Sequence, residues 1–94
     1  MKIDYNVVWL EAAEERLLKQ VNYILSQSQN EIIAKRFYIA IKNDVEKLSY
    51  CADIYKRQRN KKIPIFDGKY IIRFTLDEEN VYIFDFKSAK QNFH

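Results

Sequence analysis

Residues 63–76 read IPIFDGKYIIRFTL, in which two runs of β-prone residues flank the pair Asp67-Gly68. An Asp-Gly pair between such runs predicts a β-hairpin with a two-residue turn, because both central residues of that turn need a positive φ. Pro64 has no N–H to donate to a neighbouring strand, so it is expected either in an edge strand or at the start of a strand.

The residues after this hairpin predict one more strand. Residues 77–80 are polar and indicate a turn, whereas residues 81–86 (VYIFDF) are almost entirely apolar. A nearly unbroken apolar strand is typical of a central position in a sheet, with both faces covered or nearly so.

The first half of the chain predicts one strand and two helices. Residues 3–9 alternate between apolar and polar types, as a strand does, and from residue 10 the spacing becomes helical. The two apolar stripes expected to be buried are Leu10, Ala13, Leu17, Val21 and Ile24, then Ile33, Phe37, Ile41, Val45 and Leu48. A capping box from Ser28 to Glu31 predicts the start of the second helix, and the short polar connection makes the two helices an antiparallel hairpin.

These elements predict one α+β domain over residues 1–94, with the order β-α-α-β-β-β and an antiparallel sheet packed against a two-helix hairpin. A single Gly and a single Pro leave no room for a flexible linker. A domain of this size buries only about two-thirds of its unfolded surface. A bound partner is therefore expected to add a large share of the stability.

Positive charge is concentrated in residues 56–62 (KRQRNKK), which hold five of the 16 Lys and Arg residues. Such a run resists burial and suits a surface that faces an anion, either a nucleic acid or an acidic protein. A solvated loop that only aids solubility explains the run equally well. Tyr55 and Tyr70 flank the run, and they are candidates to stack on nucleic-acid bases.

Three further cations lie on or after the predicted strands. Arg73 is the one cation in an apolar strand, so its face is either open to water or lines a groove. Lys87 and Lys90 lie at and beyond the end of the last strand, and in an antiparallel sheet this tail would return toward the basic run. The pattern predicts a concave, positive surface on one side of the sheet.

Most enzyme templates are missing from the sequence. Cys51 is the only cysteine, and no glycine-rich phosphate loop or paired His is present, so no disulfide, metal or cofactor is expected. His94 is the only histidine, and it is either a solvated tail residue or an acid–base group. Glu14 and Glu15 are expected on a helix surface rather than in a catalytic pair.

No membrane segment is predicted either. The N-terminus lacks the apolar core of a signal peptide, and no uncharged apolar stretch approaches the roughly 20 residues that span a bilayer. We therefore expect a cytoplasmic protein without a membrane partner.

The element order and several sequence patterns resemble the RelE/ParE superfamily of toxins. The patterns are Ala12-Ala13, Leu17 and residues 21–24 (VNYI) in the first helix, the second helix through Leu48, and residues 70–74 (YIIRF), 81–83 (VYI) and 90–93 (KQNF). The resemblance implies the toxin of a type II toxin–antitoxin pair, whose antitoxin covers the working surface until proteolysis removes it.

The superfamily implies two alternative targets. ParE-like members poison DNA gyrase and need no nuclease site, whereas RelE-like members cleave messenger RNA in the ribosome with Lys and Arg residues and a Tyr or His near the C-terminus. This sequence departs from the nuclease pattern, since Ile71 and Ser88 stand where many relatives carry Arg and His, and Lys90 replaces an Arg. We therefore expect gyrase rather than the ribosome and its mRNA as the target, with a non-toxic antitoxin-binding module as a third alternative.

The resemblance and the charge pattern together select the candidate site residues. The cations expected to bind the target are Lys56, Arg57, Arg59, Lys61, Lys62, Arg73, Lys87 and Lys90. If the chain is a nuclease, the expected catalytic set is Lys61, Lys62, Arg73 and Lys90. A lysine removes the proton of a ribose 2′-OH only if its pKa is depressed.

Overall fold

The computed structural model describes residues 4–57 and 61–92 and shows an α+β fold with the predicted order of strands and long helices. The strands are β1 (Asn6–Trp9), β2 (Lys62–Ile65), β3 (Tyr70–Leu76) and β4 (Asn80–Ser88), and the helices are α1 (Glu11–Ser28), α2 (Glu31–Val45) and the short α3 (Leu48–Cys51). Two single 3-10 turns, Ala52–Tyr55 and Ala89–Asn92, complete the described elements. Within these residues no helix is long and apolar enough to cross a membrane.

The four strands form one sheet in the order β1-β4-β3-β2. The central position predicted for β4 is confirmed, as is the edge position of the strand that holds Pro64. The expectation of a wholly antiparallel sheet is wrong in one respect, because β1 runs parallel to β4 and the sheet is mixed. The two strands are far apart in sequence, and the whole helical hairpin lies in the connection between them, so the chain can return in the same direction.

The β2–β3 hairpin is confirmed, but its loop is longer than predicted. Ile65 pairs with Tyr70, which leaves four residues in the loop, and Phe66, Asp67 and Gly68 all have positive φ. The Gly68 N–H donates to the Ile65 carbonyl at 3.1 Å and the Lys69 N–H donates to the Phe66 carbonyl at 3.2 Å, so the loop contains two overlapping turns, and Asp67 and Gly68 are the central residues of the second.

The connection between α1 and α2 also differs from the predicted capping box. Ser28 is the last residue of α1, and Gln29 follows in the left-handed conformation. Asn30 is the N-cap of α2, and its side-chain oxygen accepts the N–H groups of Ile32 and Ile33 at 2.9 and 3.2 Å. Asn is among the strongest N-cap residues, so it takes the place that the pattern assigned to Ser28.

The core lies between the helical hairpin and one face of the sheet. Its fully buried residues include Leu17 of α1, Ile41 and Val45 of α2, and Ile72 and Ile83 of the central strands. Two residues of the predicted stripes are instead exposed: Leu10 precedes α1 as its N-cap, and Ile33 lies in the first turn of α2.

A cluster of four side chains joins α1, α2 and β1. Lys42 Nζ lies 2.7 Å from Glu14 Oε1 and 4.5 Å from the centre of the Trp9 ring, and the Tyr38 hydroxyl donates to Glu14 Oε2 at 2.8 Å. Burial by itself raises the pKa of Glu14, but the hydrogen bonds from Lys42 and Tyr38 outweigh it and hold that pKa below the ordinary 4.5. Glu14 is therefore a structural link between the helices.

Candidate functional site

A row of charged residues crosses three strands of the sheet. Lys62 of β2 lies opposite Arg73 of β3, and Arg73 lies opposite Asp85 of β4. Lys62 and Arg73 are exposed, whereas their chain neighbours Ile63 and Ile72 are buried. We call Lys62, Arg73 and Asp85 the charged row.

Within this row, Lys62 and Arg73 place two positive charges side by side. The Phe74 N–H donates to the Lys61 carbonyl at 2.9 Å, which fixes the hydrogen-bonded position of the ladder. Since hydrogen-bonded and non-hydrogen-bonded pairs alternate, Lys62 and Arg73 form a non-hydrogen-bonded pair, whose side chains are closest. Like charges directly opposite each other destabilise a sheet. The arrangement therefore opposes folding and favours an anionic partner.

Asp85 is held by two cations. Its side chain is only 14% exposed, its Oδ1 lies 3.5 Å from Arg16 Nε, and its Oδ2 lies 3.6 Å from Lys87 Nζ. A poorly exposed carboxylate needs such partners, because burial of an unpaired charge is costly. Lys87, expected from sequence to bind the target, is therefore already engaged in an ion pair within the fold.

A β-bulge exposes an aromatic ring beside the charged row. Arg73 pairs with Asp85 but Phe74 pairs with Ile83, so Phe84 is the extra residue of β4. Phe84 is 39% exposed, while Ile83 is fully buried. Bulges commonly redirect side chains next to functional sites. No local pattern indicates this bulge, because Asp85 is the one charged residue among residues 81–86.

Of the basic run, residues 56–62, the structure describes Lys56, Arg57, Lys61 and Lys62. Lys56 Nζ lies 3.5 Å from Asp53 Oδ1, and the nearby Tyr5 hydroxyl and Asp53 carboxylate raise the pKa of Lys56. Arg57 is exposed and Lys61 is half-buried. Arg59, like His94, lies outside the described residues. Lys56 is thus tied to its own turn rather than fully available to a partner.

The two tyrosines that flank the run are packed against the core. The Tyr70 ring is stacked on Phe86, with ring centres 5.1 Å apart and an angle of 15° between the planes, and it meets Phe37 edge-on. The Tyr55 ring meets Phe74 edge-on at 5.6 Å. The expectation that these two rings stack on bases is therefore not supported, because both rings pack against aromatic residues of the core.

Lys90 lies on a different surface from the charged row. It lines a cleft between α1 and the strand ends, together with Tyr23, Lys69, Tyr70 and Ser88. The single positive surface expected from the sequence is therefore divided, with Lys62, Arg73 and Lys87 on the sheet and Lys90 in the cleft. Lys69 was not selected from sequence, although a cation directly after the Asp-Gly pair is a usable signal for a residue at the hairpin tip.

Comparison with known proteins identifies the family. A family profile described as "ParE toxin of type II toxin-antitoxin system, parDE" matches residues 7–93, from within β1 to beyond β4. A search of curated proteins gave no match. The charged sheet face and the helical hairpin thus lie within a match that covers nearly the whole chain. The chain belongs to the ParE toxin family of type II toxin–antitoxin systems, whose members have a cognate antitoxin as partner.

Proposed function

We propose that this toxin stops bacterial growth by acting on DNA gyrase, with the charged row and Phe84 as the surface that meets the gyrase–DNA complex. The family match supports this target, because gyrase poisoning is the activity that the ParE branch implies. The unfavourable Lys62–Arg73 pair supports the surface, since an anionic partner would relieve the repulsion between the two side chains.

The choice of gyrase over RNA cleavage rests on one observation: the carboxylate and the hydroxyl of β4 that could act as a general base already have partners within the fold. Asp85 is paired with Arg16 and Lys87. The Tyr82 hydroxyl donates to Asp77 at 3.0 Å, and this bond raises the pKa of Tyr82. A general base works best when its pKa is near the operating pH. In the part of the chain that the structure describes, the charged row is thus better suited to bind an anion than to remove a proton.

A second candidate function is ribosome-dependent cleavage of messenger RNA, and one observation favours it. Phe84 presents an exposed ring next to Arg73, and an aromatic ring among cations is the usual composition of a single-stranded nucleic-acid site. In that case Lys61, Lys62, Arg73 and Lys90 are the candidates for the catalytic work. Because Lys90 lies apart from Lys62 and Arg73, this set does not form one compact site.

Inducible expression of the chain in bacteria tests the proposal. Growth should stop, the SOS response should be induced, and messenger RNA should remain intact at first, whereas co-expression of the protein encoded by the adjacent reading frame should restore growth. Transcripts cut at ribosome-occupied codons, with intact chromosomal DNA, would instead support the RNA-cleaving alternative. Normal growth at a verified level of folded protein would leave a non-toxic antitoxin-binding module.

A further inference from the structure

A cleft of about 600 Å³ separates the second half of α1 from the start of β3 and the end of β4. The side chains that give it polar character are Gln20, Tyr23, Lys69, Tyr70, Ser88 and Lys90. Its volume falls within the range of about 300–1,000 Å³ that is typical of ligand-binding clefts. The proposed contact with gyrase uses the charged row on the sheet and leaves this cleft free.

The polar groups of the cleft are mainly hydrogen-bond donors. Gln20 Nε2 donates to the Tyr70 hydroxyl at 3.1 Å, which leaves the Tyr70 O–H available as a donor. The backbone N–H of Lys90 donates to Ser88 Oγ at 3.3 Å, which leaves the Ser88 O–H available in the same way. Burial raises the pKa of Tyr70, so its hydroxyl keeps its proton at neutral pH. These donors suit a ligand that brings acceptors.

Charge points to the same class of ligand. Lys69 and Lys90 are both exposed at the cleft, and the lining residues that the structure describes include no Asp or Glu. An ammonium group is a point charge on a flexible stem, so two lysines can close on one carboxylate or phosphate without a fixed geometry. The cleft therefore attracts an anion.

The floor of the cleft is fixed before any ligand arrives. Tyr70 pairs with Ser88 across β3 and β4, and its ring is stacked on Phe86. The Ala89 N–H donates to the Lys69 carbonyl at 2.9 Å, which ties the chain after β4 to the hairpin tip. A preorganised site loses little conformational entropy when it binds.

The aromatic rings favour a peptide over a nucleotide as the anion. Base recognition usually needs ring faces on which a base can stack. One face of the Tyr70 ring is covered by Phe86 and its edge meets Phe37, so among the lining rings that the structure describes only Tyr23, which is 58% exposed, is open. A single open ring between two lysines suits an apolar side chain that lies next to a carboxylate.

We propose that this cleft binds an acidic segment of the cognate antitoxin, with a carboxylate between Lys69 and Lys90 and an apolar side chain against the Tyr23 ring. The antitoxin is the partner that family membership implies. The assignment needs that partner but does not depend on gyrase as the target, so the two proposals can fail separately.

Titration of the purified chain with a peptide tests the chemistry of the cleft. The probe is a capped tetrapeptide of alternating glutamate and leucine, and the control peptide has glutamine for glutamate. In amide NMR spectra the acidic peptide should shift the signals of Lys69, Tyr70, Ala89 and Lys90, and Lys69→Gln or Lys90→Gln should weaken its binding about three- to fivefold at low salt. Lys47→Gln removes the same charge from a lysine next to Asp44 on α2's C-terminal side and should leave the affinity unchanged.

Two results of this titration would overturn the proposal. One is equal binding of the acidic and glutamine peptides, because the lysines would then play no part. The other is binding of adenosine monophosphate or a short single-stranded oligonucleotide at the same amides without binding of the peptide, which would reassign the cleft to phosphate. Neither assay contains gyrase, so neither result bears on the target.

Lysine acetylation then tests whether the antitoxin is the occupant. The free chain and its complex with the co-expressed neighbouring protein are treated with an acetylating reagent and compared by mass spectrometry. Lys69 and Lys90 should be protected several-fold in the complex, while Lys47 keeps its reactivity. A stable complex in which Lys69 and Lys90 react as fast as in the free chain would show that the antitoxin binds elsewhere.

Discussion

Lys62 and Arg73 face each other across β2 and β3 on the open side of the sheet. Repulsion between such a pair costs stability, so a surface that keeps it is expected to gain something in function. Replacement of one of these two residues should therefore raise stability and lower toxicity, whereas replacement of a purely structural residue would lower stability.

Lys62→Gln should make the protein slightly more stable and less toxic. Loss of one of two opposed charges removes repulsion worth at most about 0.5 kcal/mol in an exposed pair, whereas the anionic partner loses a contact. Urea unfolding and the inducer dose that stops growth measure the two effects. Lys47→Gln, a change of equal charge elsewhere on the surface, should reduce toxicity much less. Undiminished toxicity of the Lys62→Gln variant would show that the charged row does not contact the target.

The second prediction concerns the start of α2. Asn30→Ala should lower the free energy of unfolding by about 1 kcal/mol, because it removes the acceptor for two backbone N–H groups of the first helical turn. Ser28→Ala should cost clearly less, since the Ser28 hydroxyl bonds only to the N–H and, weakly, the carbonyl of Asn30. A larger loss of stability for Ser28→Ala than for Asn30→Ala in thermal or urea melts would instead support the capping box predicted from sequence.

The third prediction is a pH dependence that comes from Glu14. Because its pKa is lowered in the folded protein, its contribution to stability is present above the ordinary value of 4.5 and is lost as the pH falls through the folded-state pKa. Glu14→Gln should therefore reduce stability at pH 7 by about 1 kcal/mol and should flatten the acid limb of the stability curve.

Glu15→Gln is the matched control for this experiment, because Glu15 is the next residue of α1 and is exposed. Urea unfolding between pH 3 and pH 7 compares the two variants with the parent chain. Coincident stability curves for the Glu14→Gln variant and the parent would show that the Lys42 and Tyr38 contacts add nothing.

The fourth prediction addresses the basic run. Replacement of Arg57, Arg59, Lys61 and Lys62 by Gln should leave the melting temperature nearly unchanged, because surface substitutions usually alter stability by less than about 0.5 kcal/mol. Toxicity should fall, and binding to the antitoxin should become weaker and less dependent on salt if the antitoxin covers that surface. A quadruple variant that folds and still stops growth at the same inducer dose as the parent chain would show that the run is only a solvated loop.

Much of the fold was predictable from local pattern. The Asp-Gly pair located the β2–β3 hairpin, Pro64 marked an edge strand, and the apolar run of residues 81–86 marked the central one. The parallel pairing of β1 with β4 was not predictable in this way, because it depends on contacts between residues more than 70 positions apart. The four-residue loop was missed because Phe66 also adopts a positive φ, which bulky side chains normally avoid.

The candidate site was predictable only in part, for a physical reason. Composition locates cations, but their grouping depends on sheet register, which brought Arg73 to Lys62, and on the path of the chain after β4, which placed Lys90 in the cleft. The bulge that exposes Phe84 left no trace in the apolar pattern of β4. Side chains held by partners distant in sequence, such as Arg16 on Asp85, are likewise invisible to local spacing.

The central claim, that this toxin acts on DNA gyrase through the charged row, is tested most directly with purified components. The chain is incubated with gyrase and supercoiled plasmid, and linear DNA is measured after protein denaturation and proteolysis. Gyrase-dependent double-strand breaks should increase with toxin concentration, and the Arg73→Gln variant should need about a tenfold higher concentration for the same breakage. Unbroken plasmid at every concentration of folded chain, together with cleavage of messenger RNA on ribosomes, would contradict the claim.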